Sequence, residues 1–232
     1  GCGGGAGGGG GKEAVGKKKG WAEDEGGEWA CRWAHQWGED VAVRTYSSRL
    51  VGGEKSLVLH GGGNTSVKSS VTNILGEELP ALFIKASGFD LAAIEPAGHP
   101  ALDLEYLKKL RVLEELSDEI MVKELRTHLL DFQSPTPSIE TLVHAFIPGK
   151  FIDHTHADAI LALTNQPVGE KLITEALGEK VIVLHYVRPG FKLAKAVAAA
   201  IEAHPEKQAM VWMRLRLVTL AVAALASFQP RL

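Results

Sequence analysis

From Glu39 onward the chain alternates between stretches with helical spacing of apolar residues and short apolar runs bounded by glycine or proline. Asp40 to Leu50 reads as an amphipathic helix that stops near Val51-Gly52-Gly53. Ser56-Leu57-Val58-Leu59-His60 reads as a short strand running into glycines, and Ala81 to Lys85 as a second strand ending at Ala86-Ser87-Gly88. Two charged-faced helices are predicted over Asp103 to Leu116 and Ser117 to Leu130, the second opening on a capping serine. Thr136 has the chemistry of an N-cap and Pro137 that of a first helical residue, which would place Ser138 and Glu140 in a first turn. Pro148-Gly149 ends that helix, and Phe151-Ile152 opens a strand carrying His154. A helix around Ile160 to Leu163, a strand over Lys180 to Val187, a turn at Arg188-Pro189-Gly190 and an alanine-rich helix over Leu193 to His204 follow.

Composition changes the picture at the two ends. Residues 1–27 are glycine-rich with a lysine run and then an acidic one, and residues 1–38 are expected to form a disordered low-complexity segment. Trp29, Trp33 and Trp37 recur every four residues and would share a helix face, Trp21 lying eight earlier. The apolar stretch from Leu217 to Phe228 is too short to span a bilayer and reads as a buried helix or strand. A net charge of -3 and a pI near 6.3 give no electrostatic case for nucleic acid or an anionic membrane. Two cysteines, Cys2 and Cys31, supply neither a disulfide framework nor a cysteine metal site, and a reducing, cytoplasmic setting is expected.

Three places carry candidate chemistry. Gly61-Gly62-Gly63-Asn64-Thr65-Ser66 would let backbone N–H groups turn toward an anion, or would form a tight turn. It lacks the terminal Gly-Lys-Ser/Thr of a P-loop, and Ser66 stands where the dinucleotide fingerprint needs Gly or Ala. Glu140 supplies a carboxylate at a helix start. His154 and His156, two apart in a strand, can present both imidazoles to one cation, whereas on a helix they would diverge by roughly 200°. Read alone, the pair is either a metal site or two unrelated histidines.

Gly63-Asn64-Thr65-Ser66, Ser87-Gly88, Ser138-Ile139-Glu140 and His154-Thr155-His156, in this order, resemble the class II aldolase/adducin family. The wider runs Leu59 to Val67, Pro137-Ser138 with Glu140, Asp153 to Ala159 and Leu163-Thr164-Asn165-Gln166 look most like the aldolase half of bifunctional rhamnulose-1-phosphate aldolase/alcohol dehydrogenases. The resemblance covers roughly Asp40 to Val211 and implies one three-layer α/β/α domain over residues 39–211 with a central, mainly antiparallel sheet, assembled as a homotetramer. It implies a phosphorylated sugar substrate, a Zn2+ cofactor held by His154 and His156, Glu140 as catalytic acid/base, and phosphate contacts from Gly63, Asn64, Ser87, Gly88 and Ser138. Cleavage of a rhamnulose-1-phosphate-like ketose would yield dihydroxyacetone phosphate and lactaldehyde. Two departures stand out: Ile139 replaces a serine found in some aldolases, and Leu215 stands where the third zinc histidine is expected. Residues 212–232 thus read as an atypical tail, truncated or frame-altered. The alternatives are a noncatalytic, adducin-like assembly domain, or a sugar-phosphate epimerase or dehydratase of the same fold.

Overall fold

The computed structural model describes residues 32–207, 209–213 and 216–221. Residues 1–27, both cysteines, Trp21, Trp29, Leu215 and the stretch beyond Ala221 lie outside the described residues. Trp33 and Trp37 fall in a helical turn at 32–37.

The centre is a seven-stranded sheet of β1 (Asn64–Thr72), β2 (Glu78–Ile84), β3 (Ala101–Asp103), β4 (Phe151–Thr155), β5 (Val181–Leu184), β6 (Ala209–Trp212) and β7 (Arg216–Ala221). Its order is β3-β2-β1-β4-β7-β6-β5. Every pair is antiparallel except β5 with β6. The helices are α1 (Glu39–Gly53), α2 (Leu104–Lys109), α3 (Asp118–Thr127), α4 (Thr141–Phe146), α5 (Asp158–Thr164), α6 (Gly169–Leu177) and α7 (Phe191–Ala203).

Alternation along the strands sorts side chains into two layers. Leu82, Ile84, Ile152, Met210, Trp212 and Val218 point to one face and form the main core with α2, α3, α4 and α7. On the other face Val67, Ala81, Phe83 and Phe151 pack with Val41 of α1. There, too, Val181 and Val211 meet Ile160 of α5 and Ile173 of α6. This is the expected three-layer α/β arrangement with a mainly antiparallel sheet.

Local structure departs from sequence expectation at two functionally relevant places. Ser56 to His60 forms no strand: the chain turns at Lys55 to Leu57, where Glu54 Oε1 accepts from both the Ser56 N–H (3.1 Å) and its hydroxyl (2.7 Å). The strand instead begins after the glycines, at Asn64. The helix predicted from Thr136 starts at Thr141, with Glu140 at the N-cap position. Residues 136 and 137 are held extended, Ser87 N–H donating to the Thr136 carbonyl (2.9 Å) and Ala86 bridging Pro137. Helix α6 has no counterpart in the sequence reading, whereas Ser117 caps α3 as expected, accepting from Ile120 N–H.

Candidate active site

Strand register builds the centre of the site. Asn64 on β1 lies directly opposite His154 on β4, and both point to the face that carries α4. There the His154 Nδ1 lies 2.8 Å from the Glu140 Oε2. The Asn64 amide donates to the Ser138 hydroxyl at 2.6 Å and to Glu140 Oε2 at 3.4 Å, while its carbonyl accepts from Thr65 N–H. Ser138 Oγ also accepts from the Glu140 N–H at 3.2 Å. Asn64, Ser138, Glu140 and His154 are all buried, so this network is shielded from competing water.

Just beyond β4, half-buried His156 brings its ring centroid to 5.2 Å from that of His154, and the Trp212 ring lies 5.5 Å from His154 on β6. Burial pushes the His154 imidazole down to about 3, with the charge of Lys85 acting the same way. His156 is pushed down to about 4 by burial, then by His154 and Lys85. Both rings are therefore neutral near pH 7, the form that ligates metals. A carboxylate facing Nδ1 favours the Nδ1–H tautomer and leaves the His154 Nε2 lone pair as the ligand.

The two imidazoles fit one cation. With Zn–N near 2.1 Å, each ring centre sits roughly 3.2 Å from the ion, so two rings at a tetrahedral angle stand about 5 Å apart. They supply two ligands; among the described residues no set of three His, Cys, Asp or Glu groups forms a metal cluster. Position 215, where a third histidine is expected, is leucine and lies outside those residues.

The glycine loop closes the same end of the sheet. Gly63 has φ +67°, and a Cβ there would fall 2.5 Å from Val58 Cγ1 and 3.1 Å from the His154 carbonyl, so only glycine fits. A Cβ on Gly62 would lie 3.6 Å from His156 Nδ1, and one on Gly61 3.5 Å from the Gly88 carbonyl. Thus Gly63 adjoins the Asn64–Ser138–Glu140–His154 cluster, while Ser87 and Gly88 reach it through the backbone at Gly61 and Thr136. Sequence reasoning missed Lys85, which is buried and donates from Nζ to the Gly61 carbonyl at 3.0 Å. A lone lysine ending an apolar strand just before Ala86-Ser87-Gly88 was the available signal.

Residues 44–225 match the family model of the class II aldolase and adducin N-terminal domain. The chain belongs to this family. The N-terminal class II aldolase domain of a conserved protein from Thermoplasma acidophilum is 35% identical and superposes with a TM-score of 0.76, covering 82% of this chain and 87% of that one. The uncharacterized oxidoreductase YuxG of Bacillus subtilis (strain 168) is 35% identical over 191 residues, 82% of this chain. The chain spans only 28% of that relative's length. L-fuculose-1-phosphate aldolase from Thermus thermophilus shares the fold, with a TM-score of 0.51, 18% identity, and 80% and 86% of the two chains covered. Within this class II aldolase-type domain, the clustered motif residues come from the start of β1, the loop after β2, the end of β4 and the turn before α4.

Proposed function

We propose that this domain cleaves a ketose 1-phosphate of the rhamnulose-1-phosphate kind, in a zinc-dependent retro-aldol reaction, to dihydroxyacetone phosphate and lactaldehyde. The observation that carries the reading is the Glu140 carboxylate lying 2.8 Å from His154, with His156 alongside. His154 and His156 would hold the Zn2+, which when bound supplies Lewis-acid stabilisation of negative charge on the substrate oxygens. Gly63, Asn64, Ser87, Gly88 and Ser138 would line the phosphate end, with backbone N–H groups taking the place of the serine absent at Ile139.

Cleavage breaks the C3–C4 bond. The C4 hydroxyl would give its proton to a general base as its carbon becomes the aldehyde, the bonding pair would stay on C3, and return of that proton to the Glu140 carboxylate would restore the acid. Glu140, held by Asn64 and by its own turn, would then deliver a proton to C3, completing dihydroxyacetone phosphate. The family motifs and the fold shared with fuculose-phosphate aldolase support this chemistry. The name oxidoreductase on a longer relative fits an aldolase domain joined to a dehydrogenase. A tetrameric, cytoplasmic enzyme of rhamnose breakdown belongs to the same proposal.

The test is dihydroxyacetone phosphate release from L-rhamnulose 1-phosphate and L-fuculose 1-phosphate by zinc-reconstituted protein. Glu140→Gln should lower kcat by about 10²- to 10⁴-fold. No release from either sugar, or release indifferent to Glu140→Gln, refutes the aldolase reading; epimer or dehydration product without cleavage would mark another reaction of the fold.

A further inference from the structure

The sheet face turned away from the histidine pair carries a buried charge pair with no part in the chemistry above. Arg44 of α1 is fully buried; its Nη2 lies 2.6 Å from Oδ1 of Asp153 on β4, and its Nη1 donates to the Ser66 carbonyl of β1 at 3.4 Å. Its guanidinium also lies 5.8 Å from the centroid of the Phe151 ring. One cation from the helix layer therefore grips both strands that present the site residues. In the observed register Asp153 stands opposite Thr65, and His154 opposite Asn64.

Strand β4 needs such a grip because its apolar pattern does not choose a face. All five of its residues are buried, and the adjacent Phe151 and Ile152 feed opposite cores. A slip of one residue would exchange the two faces and move Ile152 into the core that Phe151 occupies, where it is again buried. Only the polar residues tell the two arrangements apart. After that slip, Asp153 would take the place of Ile152 in the apolar core beside Leu82, and His154 would meet the Arg44 cation. Arg44 thus rewards the observed register and penalises the other.

We infer that Arg44, acting through Asp153, is the positioning residue that fixes the register of β4 and so holds His154 in place to bind metal beside Glu140. The metal half of this inference rests on the function proposed above. Arg44→Met/Asp153→Leu removes both charges at similar volume, a change that buried ion pairs often tolerate without loss of stability. The full chain and this variant are titrated with Co2+, following its d–d absorption, and their metal-free 15N-histidine spectra and thermal midpoints are recorded. Arg111→Met/Glu202→Met, which removes an exposed ion pair between the turn after α2 and α7, is the control.

The expected result is Co2+ binding weakened at least tenfold in the first variant and unchanged in the control. His154 ring signals should be displaced or doubled in the first variant without metal. A folded variant with wild-type Co2+ affinity and unaltered His154 signals overturns the inference. If the wild-type chain itself binds no Co2+, the metal reading falls separately, and the histidine spectra alone decide the register: displaced signals uphold it and unchanged signals refute it. Should the double variant not fold, Asp153→Asn replaces it, with Co2+ binding expected to weaken at least threefold; no change in its affinity or in its His154 signals overturns the inference.

Discussion

Exchanging Asn64 for aspartate tests the centre of the site, because it alters one atom of a residue whose contacts are all known in kind. The carbonyl that accepts from Thr65 N–H is kept, and the amide nitrogen 3.4 Å from Glu140 Oε2 becomes a carboxylate oxygen. Two unit charges at that separation repel by about 5 kcal/mol at an effective dielectric near 20, an upper bound that the pair escapes in part by retaining one proton. The folded-state pKa of one carboxyl is then raised above its unfolded value near 4. The variant should therefore approach wild-type stability toward pH 4 and lose ground as pH rises above it. Asn64→Ala provides the neutral reference. It forfeits the bond to Ser138 and the acceptor for Thr65 N–H, about 2 to 3 kcal/mol, without a charge that titrates in this range. In urea unfolding of the metal-free protein at pH 5 and pH 8, the gap between Asn64→Asp and wild type should widen by about 2 to 4 kcal/mol, while the Asn64→Ala gap stays constant. A gap for Asn64→Asp that does not change with pH would refute the placement of the amide against Glu140.

Acid should unfold the metal-free protein early. Burial pushes His99 and His154 down to about 3 and His144 well below its usual range, so the unfolded chain binds protons that the folded one refuses. Each contributes roughly 1.4 kcal/mol of lost stability per pH unit as pH falls below about 6.5, and the urea midpoint should drop steeply from pH 7 to pH 5; a flat profile would show that these rings accept protons in the fold. Gly52→Ala should destabilise by about 1 to 3 kcal/mol in thermal or urea unfolding, since its Cβ would fall 2.1 Å from Ala92 N and 2.4 Å from the Leu91 carbonyl carbon. Gly53→Ala, whose Cβ meets nothing within 4 Å, should cost nothing measurable, and equal effects at the two positions would contradict the packing of α1 on the 91–93 turn.

What the sequence conveyed depended on how local each signal was. The ends of α1 and the cap of α3 follow from nearby residues, and the two-residue spacing of His154 and His156 locates them together once the strand is assigned. Ser56 to His60 misled because its apolar run is read by period, whereas the chain turns at Lys55 to Leu57, where Glu54 accepts from Ser56, and Val58 still packs against Leu91. Thr136 and Pro137 have the chemistry of a helix start, but the backbone of Ala86 and Ser87 claims them, a long-range pairing with no trace in local composition. Arg44 and Asp153 were invisible for the same reason: a charged residue on an amphipathic helix looks solvated until the fold places a strand beneath it.

The strand order also has a consequence for how the chain is made. Strand β7, the last of the described strands in sequence, lies between β4 and β6 and is bonded to both. During synthesis, β4 and its histidines must wait with one edge unpaired until residues 216–221 leave the ribosome, and an open edge is a template for pairing with another nascent chain. A chain halted before β7 would carry most of the site's side chains yet be exposed to aggregation, so yield of native protein should depend on chaperone supply during translation more than on the stability of the finished fold.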